Sequence, residues 1–260
     1  MKVVILCGGK GTRMREETQY VPKPMVVIGD RPILWHIMKS YAHYGYKEFV
    51  LCLGYKGDVI RDYFMNYLWR TCDVTMSLGK QADLTIHDAH GEADWRVTMA
   101  ETGLESATAF RVKAIQRHLG SDDAFLLTYG DGVGNIDIAG SVRYHQGHGK
   151  CVTITGVRPP GRFGELQLDP DGSLRAFVEK PQIGTGYING GYMVCNRAIF
   201  DFLPEDPTVM LENEPLERLT ELGQLAVFRH DNFWRPMDTY REYEMLNQMW
   251  LDGTAAWKVW

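Results

Sequence analysis

The segment that decides the fold runs from Leu6 to Pro24 and reads L-C-G-G-K-G-T-R-M-R-E-E-T-Q-Y-V-P-K-P. An apolar run, Val3-Val4-Ile5-Leu6, leads into it and is short enough to be one buried strand. Three glycines, Gly8, Gly9 and Gly11, follow close together, then Thr12 and Arg13, and Lys23 stands between Pro22 and Pro24. Glycine lacks a Cβ, so the chain can take unusual angles and a ligand can approach the backbone closely. Backbone N–H groups that cradle phosphate oxygens, flanked by two fixed cations, suit a polyanionic guest. A tight strand-to-loop turn with solvated charges would use the same glycines. The added Thr-Arg and Pro-Lys-Pro favour a nucleotide site. Neither the Walker loop nor the dinucleotide fingerprint G-x-G-x-x-G fits the spacing, which disfavours a dehydrogenase.

Composition narrows the class. The chain has 260 residues and 45% hydrophobic content, ample for a buried core. Its net charge is −5 and it has no long basic stripe, which argues against nucleic acid as a partner. No apolar run approaches a membrane span, and Gly8 and Gly9 interrupt the apolar N-terminus before it reaches signal-peptide length. Five cysteines, Cys7, Cys52, Cys72, Cys151 and Cys195, lie far apart with no C-x-x-C. They read as reduced, mostly buried thiols of a cytoplasmic protein.

Outward from the glycine segment the pattern alternates. Met25 to Ile28 reads as a short strand. Pro32 opens a helix as its first residue, with an apolar stripe of Ile33, Leu34, Ile37, Met38 and Tyr41. Glu48 to Leu53 is a second buried strand, and Gly54 to Gly57 turns into a helix carrying Val59, Ile60, Tyr63 and Phe64. This is the sequence of a parallel sheet covered by helices. Residues 70 to 100 break the pattern with two short strands and polar turns, an inserted hairpin or loop of the kind that covers a ligand or builds a subunit contact. His87 and His90 there lack a cysteine or a further clustered histidine and read as solvated loop histidines. Val97 to Thr102 and Ala124 to Thr128 are further strands, and Phe110 to Leu119 is an amphipathic helix. Ile136 to His148 reads as a helix with His145 and His148 at its exposed end. From Val152 the texture changes to short strands and turns, with a hairpin signal at Asp171-Gly172. Leu225 to Phe228 is a late strand and Arg241 to Leu251 a closing helix. The fold class is α/β: a mixed but mainly parallel sheet flanked by helices, with a smaller β-rich part; the resemblance given below implies that it is Rossmann-like. The chain reads as one domain, with a nucleotide-binding half over 1–150 and a second half with closing helices over 151–260, which the same resemblance implies is the sugar-binding one.

Two carboxylates stand out. Asp131 follows a buried strand in Tyr129-Gly130-Asp131-Gly132, where open parallel sheets bind ligands; an Asp-Gly turn would look the same. Asp238 lies in Trp234-Arg235-Pro236-Met237-Asp238-Thr239 and could equally cap the helix that follows. Magnesium takes one or two carboxylates, waters and substrate phosphates rather than a full protein cage.

The composite Gly8-Gly9-Lys10-Gly11-Thr12-Arg13 with Pro22-Lys23-Pro24 resembles the signature of the sugar-phosphate nucleotidylyltransferases. The resemblance spans the chain. It extends to a branch that carries Pro32-Ile33-Leu34-Trp35-His36-Ile37-Met38, Thr128-Tyr129-Gly130-Asp131-Gly132, Pro159-Pro160-Gly161-Arg162-Phe163-Gly164 and Trp257-Lys258-Val259-Trp260. That branch makes CDP-glucose. The resemblance implies cytidylyl transfer from CTP to α-D-glucose 1-phosphate, Mg²⁺ held by Asp131 and Asp238, and a homo-oligomer. It implies nucleotide contacts from Leu6, Gly8, Gly9, Lys10, Gly11, Thr12, Arg13, Lys23, Thr108, Arg111, Gly130 and Asp131, with Arg13 and Lys23 catalytic. It implies sugar-phosphate contacts from Gly164, Glu179, Lys180, Asn189 and Gly190. Cys7 stands where the family has alanine, and Ala109 and Phe110 stand where the branch has glycines. A dTTP or UTP enzyme, or a regulatory relative that binds without turnover, remains open at this point. The two tryptophans of the C-terminal tail, Trp257 and Trp260, are expected to pack on a neighbouring subunit, since exposing both would be costly.

The implied chemistry is in-line substitution at phosphorus between polyanions, in which fixed cations lower the barrier. Replacing Arg13 by Ala is expected to lower kcat on the order of a hundredfold, measured as pyrophosphate release. A kcat within a few-fold of the wild type would remove Arg13 from the catalytic set.

Overall fold

The computed structural model describes residues 1–11, 20–79, 83–87, 91–159, 165–168, 174–178 and 186–260. Seven of its strands form one sheet: β1 (Val3–Leu6), β2 (Glu48–Leu53), β3 (Arg96–Glu101), β4 (Ala124–Tyr129), β5 (Val152–Val157), β6 (Ile188–Asn196) and β7 (Leu225–His230). Their order across the sheet is β7-β5-β6-β4-β1-β2-β3. All neighbours run parallel except β6, which is antiparallel to both β4 and β5. The expected mixed, mainly parallel α/β sheet is therefore present. Three of the strands after residue 150 extend this same sheet, and the hairpin Glu165–Leu168/Leu174–Val178 stands apart from it.

The period-two geometry of a strand splits each apolar run between two cores. Val3 and Ile5 face one cluster with Phe49, Leu51 and Leu53, while Val4 and Leu6 face the other with Val50 and Cys52. Both faces are buried, which is why these runs show no polar alternation. Helices α1 (Ile33–His43), α2 (Gly57–Met65), α3 (Thr108–Ala114), α4 (Ile138–His148), α5 (Glu214–Glu221) and α6 (Tyr240–Leu251) accompany the sheet. The stripe Ile33, Leu34, Ile37, Met38 and Tyr41 is buried throughout, as its spacing predicts. Beside β1 the connections diverge: the chain reaches β2 on one side and later β4 on the other. Such a switch point opens a crevice at the carboxyl ends of the strands.

Three local readings change. Pro32 precedes the helix rather than starting it, because it pairs with Val27 in a two-residue ladder and keeps an extended ψ of 149°. His145 is buried, not exposed: its ring nitrogens meet Thr153 Oγ1 at 2.8 Å and Asn196 Oδ1 at 3.0 Å. The helix face carrying it lies on β5 and β6, so those polar atoms satisfy it. His87, by contrast, is an exposed loop-side histidine as expected, paired with Thr75 Oγ1 across the inserted hairpin Val74–Met76/Leu84–Ile86; His90 lies outside the described residues.

The C-terminal tail is the third change. Trp257 is fully buried inside its own chain instead of packing on a neighbour. Gly253, at φ +70°, reverses the chain after α6, with its N–H on Trp250 O and the Thr254 N–H on Met249 O. That left-handed turn, which glycine adopts without strain, lays the tail across α1. There Trp257 stacks on Phe233 and Trp250, and Trp260 meets Trp35 edge-on at 5.8 Å. The four cysteines Cys7, Cys52, Cys151 and Cys195 are buried free thiols and Cys72 is half-buried. No helix of the described residues is long and apolar enough to cross a membrane.

His36 sits at the centre of this aromatic closure. Its Nε2 donates to Ile28 O at 3.0 Å, and its Nδ1 accepts from Trp257 Nε1 at 3.4 Å. The contact from Trp257 requires the neutral ring, because a protonated Nδ1 cannot accept, and burial lowers its pKa from 6.5 to about 4. The unfolded chain takes up this proton near pH 6.5 and the folded chain only near pH 4. Stability is therefore full above pH 6.5 and falls as pH drops towards 4. The loss is about 3 kcal/mol, since each pH unit between the two values costs about 1.4 kcal/mol. Urea unfolding between pH 7 and 4 should show that loss in the wild type and lack it in His36→Gln. An unchanged slope in the variant would assign the loss to other groups.

Candidate functional site

A cavity of about 460 Å³ opens at the carboxyl ends of β1 and β4. Leu6, Gly8, Gly9 and Gly11 form one wall, and Gly130 and Asp131 form the end of β4 beside them. Thr108 and Arg111 of α3, Lys23 and Asp238 complete the lining. The structure thus brings together residues that are far apart in the chain. A second, smaller cavity of about 60 Å³ shares Tyr129 and Asp131 with the first and is lined by Asn189, Gly190 and Trp234. Lys10 lies outside both, in an exposed ion pair with Glu105 at 2.7 Å. Thr12, Arg13, Gly164, Glu179 and Lys180 fall outside the described residues.

Lys23 is the electrostatic centre. It follows Pro22 at the start of a short helical turn, Lys23–Met25, and its side chain is buried. Its ammonium donates to Asp131 Oδ2 at 2.7 Å and to Asp238 Oδ1. Burial alone would lower its pKa, but the two carboxylates, Asp131 first, outweigh that and hold it above the usual lysine value. Lys23 is therefore a fixed cation. Both carboxylates converge on one point, and Asp238 is delivered there by β-pairing of Trp234–Pro236 with Gly132–Gly134. Asp238 is not the cap of α6: Thr239 is, in a capping box with Glu242.

Arg111 has a different task from a free phosphate ligand. It is buried, and Nη1 donates to Leu53 O at 2.9 Å and Thr102 Oγ1 at 2.8 Å, while Nη2 donates to Gly8 O at 3.1 Å and Leu104 O at 3.4 Å. It braces the backbone under the glycine segment. A Cβ at position 8 would lie 2.2 Å from Arg111 Nη1, so the contact in this form requires glycine there. Cys7 beneath it is buried, and burial holds its thiol well above the usual cysteine range, so it stays protonated. Ala109 is fully buried in the core.

Sequence reasoning missed Glu212. Its Oε2 accepts from Thr108 Oγ1 at 2.7 Å and its Oε1 accepts from Tyr129 OH. It belongs to the acidic stretch Glu212-Asn213-Glu214 ahead of α5, and nothing in the spacing marks it from its neighbours. Gly191, at φ +80°, lies where a Cβ would strike the Tyr129 ring at 2.5 Å, so Tyr129 is held from both sides.

A sequence profile described as nucleotidyl transferase matches residues 2–253. This chain belongs to the nucleotidyl transferase family. It is 46% identical to the glucose-1-phosphate cytidylyltransferase of Salmonella typhi, with the whole of both chains covered. It is 45% identical to the probable glucose-1-phosphate cytidylyltransferase of Bacillus subtilis, again over the whole of both. Among solved structures, HddC from Yersinia pseudotuberculosis superposes with a TM-score of 0.70 at 23% identity, covering 96% of this chain and 99% of that one. That likeness is one of fold. As a nucleotidyltransferase, the chain carries its cavity at the switch point of the sheet.

Gly8→Ala is expected to destabilise the protein by roughly 1–3 kcal/mol through overpacking against Arg111. In the double variant with Arg111→Ala the cost should be no greater than that of Arg111→Ala alone, read by urea unfolding. Additive costs would show that Gly8 is needed for another reason.

Proposed function

We propose that this chain transfers a cytidylyl group from CTP to α-D-glucose 1-phosphate, giving CDP-glucose and pyrophosphate. The identity of the substrates rests on the full-length likeness to enzymes named for that reaction. One observation carries the chemistry: two cavities meet at Asp131, and beside it a buried ammonium is held between two carboxylates. In this reading the larger cavity takes the nucleotide and the smaller one the sugar, so the reacting phosphates lie at Lys23. Residues 1–150 then serve as the nucleotide half of one domain, and 151–260 as the sugar half.

The sugar phosphate oxygen attacks the α-phosphorus of CTP, and the bond to the β-phosphate bridging oxygen breaks as pyrophosphate leaves. The attacking oxygen is already anionic, so no side chain has to remove a proton. The barrier is repulsion between polyanions. Lys23 counters it as a cation that burial and its two partners fix in place, so no reorganisation is needed during reaction. Arg13 adds a second cation in this reading. The backbone N–H groups after β1 orient the triphosphate. Glu179, Lys180, Asn189 and Gly190, with Gly164, hold the sugar phosphate.

Asp131 and Asp238 fit a magnesium ion. They are the two hard-oxygen groups gathered around the Lys23 ammonium, and would hold the ion beside it, two being the number such an ion takes when phosphates and water complete its shell. When bound, the ion supplies charge neutralisation on the phosphates. The enzyme works in the cytoplasm and as a homo-oligomer in this proposal.

The test is pyrophosphate release from CTP, UTP, dTTP, ATP and GTP, each with glucose 1-phosphate and a panel of other sugar 1-phosphates in Mg²⁺. Turnover confined to CTP with glucose 1-phosphate is expected. Turnover with another pair would overturn the substrates and keep the chemistry. Binding without turnover across the panel would mean a regulatory protein.

A further inference from the structure

Thr108, in the first turn of α3, lines the larger cavity with a hydroxyl whose other contacts are already committed. A hydroxyl has one proton and two lone pairs. The Thr108 proton goes to Glu212 Oε2 at 2.7 Å, and one lone pair receives the Leu211 N–H at 2.7 Å. One lone pair is left. A carboxylate oxygen accepts, so in this bond Thr108 is the donor and Glu212 the acceptor. Its other oxygen is taken by Tyr129 OH. The phenol O–H donates to the carboxylate oxygen, so Tyr129 is the donor and Glu212 the acceptor in that bond too. The backbone enforces the arrangement. Ala107 N–H is bonded to Pro207 O at 2.7 Å and Ala109 N–H to Val209 O at 3.3 Å, which ties the segment carrying Glu212 to the first turn of α3.

We infer that Glu212 is a positioning residue for base choice: by holding the Thr108 proton it presents the cavity with an acceptor only, which selects a nucleobase edge bearing an amino donor. This rests on the proposed cytidylyl reading and deepens it. Cytosine carries a 4-amino group where uracil and thymine carry a carbonyl oxygen. Facing Thr108, the amino group is satisfied, whereas a carbonyl oxygen meets a lone pair and stays unpaired. A site built for one hydrogen-bonding edge rejects the mismatched edge strongly, because a buried polar group is then left unpaired. Glu212 does not touch the substrate in this account. It acts through Thr108, and through Tyr129 it fixes the same carboxylate against the end of β4.

Glu212→Gln separates this role from plain bracing. The amide can accept from Tyr129 through its oxygen and donate to Thr108 through its nitrogen. The Thr108 proton is then released towards the cavity, and Thr108 can donate to a carbonyl. The measurement is the ratio of kcat/KM for CTP over UTP, together with calorimetric binding of both nucleotides and the melting temperature. The expected result for Glu212→Gln is a fall in the CTP preference of at least about tenfold, carried largely by improved use of UTP. Thr108→Val should lose preference by weakening CTP alone. An unchanged ratio with both nucleotides weakened equally would overturn the inference and leave Glu212 as a brace. If the wild type binds cytidine nucleotides preferentially without turnover and the ratio of binding constants still collapses in Glu212→Gln, the inference stands and the cytidylyl transfer reading fails. If the wild type prefers UTP or dTTP, both fall.

Discussion

The site depends on one buried guanidinium. Arg111 reaches backbone or side-chain oxygens at the ends of β1, β2 and β3, through Gly8, Leu53, Thr102 and Leu104. Parallel strands end with carbonyls that have no further partner in the ladder, and an arginine offers five donors in a fixed plane to receive them. Burying that charge is costly, and burial does lower its pKa. Charge-assisted hydrogen bonds offset the cost. The result is a strand-end platform set before any ligand arrives. Two glycines record the constraint: a Cβ at Gly8 or at Gly54 would lie within 2.5 Å of the guanidinium.

A second charged group completes the frame. Lys23, Asp131 and Asp238 come from three distant parts of the chain and meet with their charges partly cancelled. Arg111 fixes the backbone beside the glycine segment, whereas Lys23 fixes the strand end of β4 against the approach to α6. Both line the larger cavity, so its lining is pinned in two places by a buried cation. Such a site needs little rearrangement when a polyanion enters, which is the condition under which electrostatic stabilisation is most effective.

Much of this was legible in the sequence. The strand runs, the stripe of α1, the glycine segment, Lys23 and the two aspartates carry patterns that survive reading one residue at a time. Strand order was not legible, because sequence neighbours say nothing of β6 entering antiparallel between β4 and β5. Arg111 could be found as a candidate, but its orientation could not, since phosphate and carbonyl oxygens make the same demand on a guanidinium. Glu212 was invisible for a related reason: its partners Thr108 and Tyr129 are distant in sequence, and three acidic or amide residues stand together in Glu212-Asn213-Glu214. The tail misled because an apolar ring says that it will be covered, not by what. A single left-handed glycine, Gly253, decided that its own chain would cover it.

That reversal at Gly253 has a consequence for biosynthesis. Trp257 fills the space beside His36, a residue made 221 positions earlier, and the two share a hydrogen bond. Until Trp257 has emerged from the ribosome, the face of α1 that carries His36 lacks the ring that covers it. The sheet can assemble from its N-terminal strands during translation, but this side of the core closes only when the segment after Gly253 is free to fold back. Closure of that face is therefore a late event, set by the order in which the residues are made.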